Sequence, residues 1–284
     1  MARAGAVSAI VVSYRTGPVL ALSLAALASA RDVSEIVIVD NGNPPEGEAL
    51  IDRLAQADAR MKVLRGAGNV GFAKACNAGA RAATGGVLAF VNPDVVLAAD
   101  ALTRLADVLE QHATLAIVGG DLRDAAGRPE RGARRRRVTL WRAFVSFSGL
   151  SAFGRIFPAL RDVNLHAAPM PPVPERVGGV SGALMLMRAA DFARVGGFDE
   201  QYFLHVEDVD LCRRIEDAGG AVVFAPGPHG VHHRSSSDAP SAEIARHKAQ
   251  SFARYFRKFA RNGLERACTE LVVPFLAFAL RVRG

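Results

Sequence analysis

Apolar positions along the chain fall into two alternating rhythms. Short runs rich in branched aliphatic residues, Ala6 to Val12, Glu35 to Val39, Met61 to Leu64 and Val87 to Val91, read as strands. Between them lie Ala- and Leu-rich stretches whose apolar residues recur at helical spacing. This is the βαβ alternation of a mostly parallel, Rossmann-like α/β sheet flanked by helices. A helix from about Asp100 to His112 leads to a strand at Leu115 to Val118, after which the pattern weakens. Arg123 to Arg137 is charged and reads as loop, and Ser146 to Arg176, with five prolines and little periodicity, reads as an excursion. From Gly178 onward the pattern predicts a strand at Ala183 to Met187, helices at Ala190 to Val195 and Val209 to Ala218, a strand at Val222 to Ala225, and a basic helix from Ser241 to Arg261.

A chain of 284 residues, half of them apolar, can form one large domain or two small ones around a sizeable core. Lys and Arg outnumber Asp and Glu by 35 to 28, which favours an anionic partner: nucleotide phosphates, nucleic acid or an acidic membrane face. Cys76, Cys212 and Cys268 are odd in number and widely spaced, which suggests neither a disulfide framework nor a thiolate zinc site and fits a reducing, cytoplasmic compartment. Arg3 precedes an apolar run, but the run breaks at Ser13-Tyr14-Arg15 without a small-residue cleavage site, so it reads as a first strand rather than a leader. A bilayer span needs roughly 20 apolar residues. The nearest approach, Leu271 to Leu280, is too short and contains Pro274.

Ligands of parallel sheets bind beyond the carboxyl ends of strands, where Asp40, Asn92 and Asp94 project. Asp40 precedes Asn41-Gly42 and can either accept hydrogen bonds from a ribose or base, or cap its turn. Gly66 to Gly71 matches the spacing of a dinucleotide-binding loop, with Asp94 downstream, but it follows the third strand rather than the first. The same loop, ahead of a helix carrying Lys74 and Asn77, can cradle phosphate. Asn92-Pro93-Asp94 is either a common turn or a pair of oxygen ligands for a hard divalent ion. Glu207-Asp208-Val209-Asp210 starts a helix, where acids suit the dipole. Beside Tyr202, Phe203, Leu204 and Val206 those carboxylates could also form an enclosed site holding a general base. His232-His233 follow a Pro/Gly turn and could serve a metal as neutral imidazoles. Arg134 to Arg137 is either a solvated loop or a phosphate or membrane contact.

In order and spacing, Val11-Val12-Ser13-Tyr14, Ile38 to Gly42, Asn69-Val70-Gly71-Phe72 with Asn77, Asn92-Pro93-Asp94, Val180 to Ala183, Gly196 to Asp199, Glu207 to Leu211 and His232-His233 resemble the family 2 glycosyltransferases of the GT-A fold. The likeness is strongest to the rhamnosyltransferase-like branch of bacterial surface polysaccharide synthesis and covers nearly the whole chain. It implies a GT-A domain over 1–240, with a nucleotide-binding half at 1–120 and an acceptor and catalytic half at 121–240, followed by a C-terminal helical extension at 241–284. It implies donor contacts from Ser13, Tyr14, Asp40, Asn41, Asn69, Gly71, Lys74, Asn77, Asn92 and Asp94, and acceptor contacts from Ser181, Gly182 and Glu207. Asp94, with His232, would hold Mg²⁺ or Mn²⁺, Asn92 being a neutral variant at the first position of the metal motif. Asp208 would be the base, with Glu207 and Asp210 orienting acceptor or base, though sequence alone does not separate Asp208 from Asp210 in that role.

The reaction so implied is an inverting transfer from a nucleotide diphosphate sugar, with dTDP-rhamnose the leading donor, to a saccharide or polyprenyl-linked saccharide; nucleic acid is not a partner. A lipid-linked acceptor gives Arg134 to Arg137, beside Leu140, Trp141 and Phe144, and the helix bearing Phe252, Tyr255, Phe256 and Phe259, a use as peripheral contacts with an anionic membrane, here the cytoplasmic face of the inner membrane. For the aromatic helix, packing in the core is the competing expectation. Two other readings stand beside the transferase: a nicotinamide-dependent oxidoreductase, and a catalytically silent nucleotide-sugar-binding protein.

Overall fold

The computed structural model describes residues 6–233 and 241–283; Arg3 and the expected boundary at residue 240 lie outside the described residues. In chain order, β1 (Val7–Ser13), α1 (Val19–Ser29), β2 (Val33–Asp40), α2 (Pro45–Ala57), β3 (Met61–Leu64), α3 (Phe72–Ala82) and β4 (Val87–Val91) form the expected alternation. Next come β5 (Val95–Leu97), α4 (Ala101–Glu110), β6 (Ala116–Arg123), β7 (Arg134–Arg135), α5 (Leu140–Ser148) and two single 3₁₀ turns, Leu150–Phe153 and Pro158–Leu160. The chain continues through β8 (Glu175–Arg176), β9 (Gly179–Val180), β10 (Leu184–Arg188), α6 (Ala189–Arg194), α7 (Glu207–Asp217) and β11 (Ala221–His232) to α8 (Ser241–Phe259) and α9 (Gly263–Arg283).

The central sheet runs β3-β2-β1-β4-β10-β6-β11-β5, with β8 on the side of β11. From β3 to β4 it is parallel, as the helical crossovers require. β10 then lies antiparallel to both β4 and β6, so the second half is mixed. Successive side chains point to opposite faces of a strand. Accordingly Ala9 and Val11 of β1 join one core with Leu24 of α1 and Leu105 of α4, whereas Ile10 and Val12 join a second core with Cys76 of α3 and Cys212 of α7. Every residue of β1 is buried because helices cover both faces.

Several boundaries depart from the sequence pattern, each because a partner strand extends the pairing. β5 lies beyond the Asn92-Pro93-Asp94 turn and pairs with the end of β11. β11 itself continues through the Pro226–His229 stretch expected to be a turn, absorbing it as an irregularity between Phe224 and His229 in its pairing with β6. β6 likewise runs on to Arg123.

The arginine run corrects an expectation. Arg134 is buried, ion-paired to Glu175 at 3.1 Å and placed over the Phe224 ring, while Arg135 pairs with Asp208. Arg137 reaches Asp217. The Arg134 and Arg135 side chains are spent inside the fold, because β7 pairs with β9 and carries them inward, so these two are neither a solvated loop nor a membrane contact. On α8 the competing expectation describes the packing: Tyr255 and Phe256 are buried, and the Tyr255 hydroxyl donates to the Val138 carbonyl. Among the described residues no helix is long and apolar enough to cross a membrane.

Candidate active site

The carboxyl ends of β1 and β2 and the loop after β3 meet at one edge of the sheet, and their polar side chains largely bind one another. Asp40, 3% exposed, accepts at one oxygen from the Gly42 and Asn43 backbones and the Asn43 side chain, and at the other from Arg65. Burial opposes its charge, but those donors outweigh it and hold the carboxyl below its usual range. The Ser13 hydroxyl donates inward to Thr16 or Asn43, and Tyr14 stands beside Gly42. Asn41 donates to Asn69 and accepts from the Val70 backbone, tying the two loops together. Gly71 begins α3 at φ 86°, and a Cβ there would lie 2.7 Å from the Phe203 carbonyl, so the position demands glycine twice over. Lys74 is exposed one turn into α3.

Asn77 departs from its expected donor contact. Its side chain is buried, donates to Phe198 and Glu200 and accepts from the Phe198 backbone. It fastens α3 to the Gly196–Asp199 turn, and both of its amide donors are used there. The reason is that this turn, more than a hundred residues later, folds against the helix.

Across the sheet, Asp94 sits just before β5 and His232 ends β11, and the antiparallel pairing of these strands brings them together. His232 Nε2 lies 3.1 Å from Asp94 Oδ1, and Nδ1 lies 2.7 Å from Glu130. Burial favours the neutral ring, but the two carboxylates prevail and lift the imidazole to about 9. With Glu130 holding the Nδ1 proton, loss of the Nε2 proton to a bound metal would leave Nε2 and Asp94 as an adjacent nitrogen and oxygen donor pair. Among the described residues no group of three or more His, Cys, Asp or Glu is gathered as a protein-only cage. One carboxylate and one imidazole suit Mg²⁺ or Mn²⁺ if diphosphate oxygens and water complete the shell. Glu130 was not foreseen, since it lies in a stretch that reads as charged loop.

The acidic motif opens α7 after a strained approach: His205 and Val206 have φ of 66° and 71°, uncommon for any side chain and an outlier for a β-branched one. Asp208 Oδ2 accepts from Arg135 at 2.9 Å and from the Gly182 backbone at 3.1 Å, and Oδ1 from the Val209 backbone at 2.8 Å. Burial would raise this carboxyl, yet Arg135 and the backbone donors hold it below its usual range. Glu207 is its opposite. Burial first, then the charge of Asp208, pushes it well above its usual range, and its buried Oε2 has no hydrogen-bond partner among the described residues. The two neighbouring carboxyls are thus pushed in opposite directions, Glu207 up by burial and Asp208 down by Arg135 and its backbone donors. Asp210 is fully buried and faces away, paired with Arg214 and Lys258. Ser181 and Gly182 form the turn below Asp208, and the Asn92 backbone donates to Ala183 of that turn at 3.0 Å. One turn thus joins the Asn92–Asp94 segment to Asp208.

The sequence pattern described as Glycosyl transferase family 2 matches residues 8–160, more than half of the chain. The chain belongs to that family. The pattern described as the N-terminal domain of galactosyltransferase matches this glycosyltransferase at residues 166–236, the part bearing the acidic motif and His232. N-acetylglucosaminyl-diphospho-decaprenol L-rhamnosyltransferase of Mycobacterium tuberculosis is 29% identical over 265 residues, 86% of this chain and 81% of that protein. Rhamnosyltransferase WbbL of Escherichia coli is 45% identical over 53 residues, 19% of this chain and 20% of its own length. Among solved structures, a mannosyltransferase of Pyrobaculum calidifontis in complex with GDP-Man and Mn²⁺ superposes with a TM-score of 0.64 at 17% identity, over 99% of this chain and 74% of the other. GalNAc-T7 with UDP, GalNAc and Mn²⁺ gives a TM-score of 0.68 at 17% identity, over 89% of this chain and 48% of the other. The glycosyltransferase therefore has the expected GT-A fold, and its glycine loop after β3 no longer calls for a dinucleotide.

Proposed function

We propose that this glycosyltransferase is an inverting, metal-dependent enzyme that moves rhamnose from dTDP-rhamnose to a polyprenyl-linked saccharide in cell-envelope polysaccharide synthesis. The observation that carries the reading is the turn Ser181–Ala183, which holds a charged, buried Asp208 next to the segment bearing Asp94. The relative of Mycobacterium tuberculosis supports the sugar and the lipid-linked acceptor by its name. Such an acceptor places the reaction on the cytoplasmic face of the inner membrane.

Tyr14, Asn41, Asn69, Gly71 and Lys74 border the donor pocket, and Asp40 and Ser13 shape it from below. Asp94 and His232 would hold Mg²⁺ or Mn²⁺, which when bound neutralises the diphosphate charge. Asp208 takes the proton of the acceptor hydroxyl as its oxygen attacks the anomeric carbon, and the bond to the diphosphate breaks with its electron pair leaving on oxygen. Attack opposite the leaving group inverts the centre in one displacement. Arg135 and Gly182 aim Asp208, burial beside it favours the protonated form of Glu207, and Asp210 anchors α7 to α8.

Asp208→Asn tests the role directly. Calorimetry should show dTDP-rhamnose binding, dependent on Mn²⁺, unchanged from wild type, while kcat falls by about 10² to 10⁴. Unchanged kcat would remove Asp208 as base, and donor binding without turnover in the wild type would favour the silent binding protein.

A further inference from the structure

Leu271 and Phe278 of α9 are 78% and 67% exposed and flank the half-buried Phe275 on one helical stripe. Phe275 packs on Phe144, with ring centroids 5.2 Å apart, and Phe144 stacks on Trp141 at 5.9 Å. The Trp141 indole N–H donates to the Ala159 carbonyl, which joins α5 to the two 3₁₀ turns. There Phe153, Ile156 and Phe157 are each more than half exposed, as is Trp141. Lone exposed apolar residues are ordinary, but a contiguous patch of this kind marks an interaction surface.

Positive charge borders the patch. The Arg136 backbone N–H donates to Val163, two residues from Arg161, and the Arg142 side chain donates to the Arg137 carbonyl. Burial and the charges of Arg161 and Arg142 lower the Arg136 pKa, the sign of guanidiniums crowded together. The nearby Asp162 is engaged by Arg131, Ser146 and Asn164. Aromatic and aliphatic side chains beside arginines are complementary to an anionic bilayer, whose interior takes the rings and whose phosphates take the guanidiniums. Arg136 also follows directly on Arg135, the residue that clamps Asp208.

We infer that the face formed by α5, the two 3₁₀ turns and α9 docks this enzyme on an anionic lipid bilayer, with Trp141 at the interface and Arg136, Arg142 and Arg161 on lipid phosphates. It rests on the reading that the acceptor is lipid-linked; of the run Arg134–Arg137 it keeps Arg136 alone, Arg134 and Arg135 being paired inside the fold, and it replaces the patch expected on α8. Docking through Arg136 would hold the backbone next to Arg135, the residue that clamps Asp208.

Trp141 is the chain's one tryptophan and reports docking directly. The experiment titrates the full chain with phosphatidylcholine vesicles with and without phosphatidylglycerol. With the anionic vesicles, Trp141 emission should shift to the blue and be quenched by brominated acyl chains. Arg136→Gln/Arg142→Gln/Arg161→Gln should weaken partitioning on the order of a hundredfold, and Ile156→Ser/Phe157→Ser at least about tenfold. Both variants should keep wild-type turnover on a soluble acceptor lacking the long chain and lose it on a vesicle-borne one. Partitioning that ignores phosphatidylglycerol or the arginines, an unshifted Trp141, or a lipid-free dimer that hides Trp141 would overturn the docking face. Absence of any turnover on the soluble acceptor would instead strike the transferase reading and leave the vesicle result standing.

Discussion

Asp40 and Asp208 are both buried carboxylates bound by an arginine, yet they are built differently. Asp40 takes three hydrogen bonds from its own turn, two from backbone and one from Asn43, before Arg65 contributes anything. Its charge is solvated by residues within three positions, so it serves to fold the loop. Asp208 takes one bond from the adjacent Val209 backbone but depends otherwise on residues far away in the chain, Arg135 and Gly182, and has as its immediate neighbour an acid whose pKa burial pushes up. A carboxylate satisfied locally is architecture, whereas one held in place from a distance, beside an unsatisfied group, is positioned for chemistry.

Removing each arginine should separate the two cases. Arg135→Met leaves Asp208 buried with its main counter-charge gone, and breaking such a pair costs about 3 kcal/mol. Urea unfolding would read that loss. Because Arg135 holds the Asp208 carboxyl down, the acid limb of kcat/KM should also move to higher pH, and an unmoved limb would show that Arg135 does not set the base.

Glu207→Gln probes the orphaned partner. Glu207 is raised in the folded state, so the native protein binds more protons than the unfolded chain between the ordinary glutamate value and the raised one, and stability is lost as pH rises through that window. Glutamine has no such proton to lose. The variant should therefore gain on wild type by about 1 to 3 kcal/mol toward alkaline pH, and parallel Tm curves from acid to alkali would refute the assignment. Arg65→Met should have the smallest effect, about 0.2 to 1 kcal/mol, because Arg65 is 35% exposed and Asp40 keeps its turn donors. A loss as large as that at Arg135 would erase the contrast between the two acids.

Much of the site was legible in the chain because its residues stand at strand ends. Asp40, Asn92 and Asp94 follow apolar runs, and Asp208 opens a periodic helix, so their places at the sheet edge could be read from spacing. Asn77 shows the opposite. An asparagine one turn from a phosphate-type loop looks like a ligand contact, but its partners, Phe198 and Glu200, are invisible until the later turn folds against α3. Arg134 and Arg135 misled for the same reason, since a charged segment looks alike whether it is solvated or paired in the interior.

The pattern of the sequence by itself determined the alternation of strands and helices, the two apolar faces of the central strands and the order of the motifs, because side-chain periodicity and turn chemistry are local. Tertiary structure alone decided which acids are satisfied and which stand ready. Arg135 reaches Asp208 across 73 positions and Glu130 reaches His232 across 102. The state of a buried charge is set by the partners that surround it, and those partners are chosen by strand pairing rather than by sequence distance.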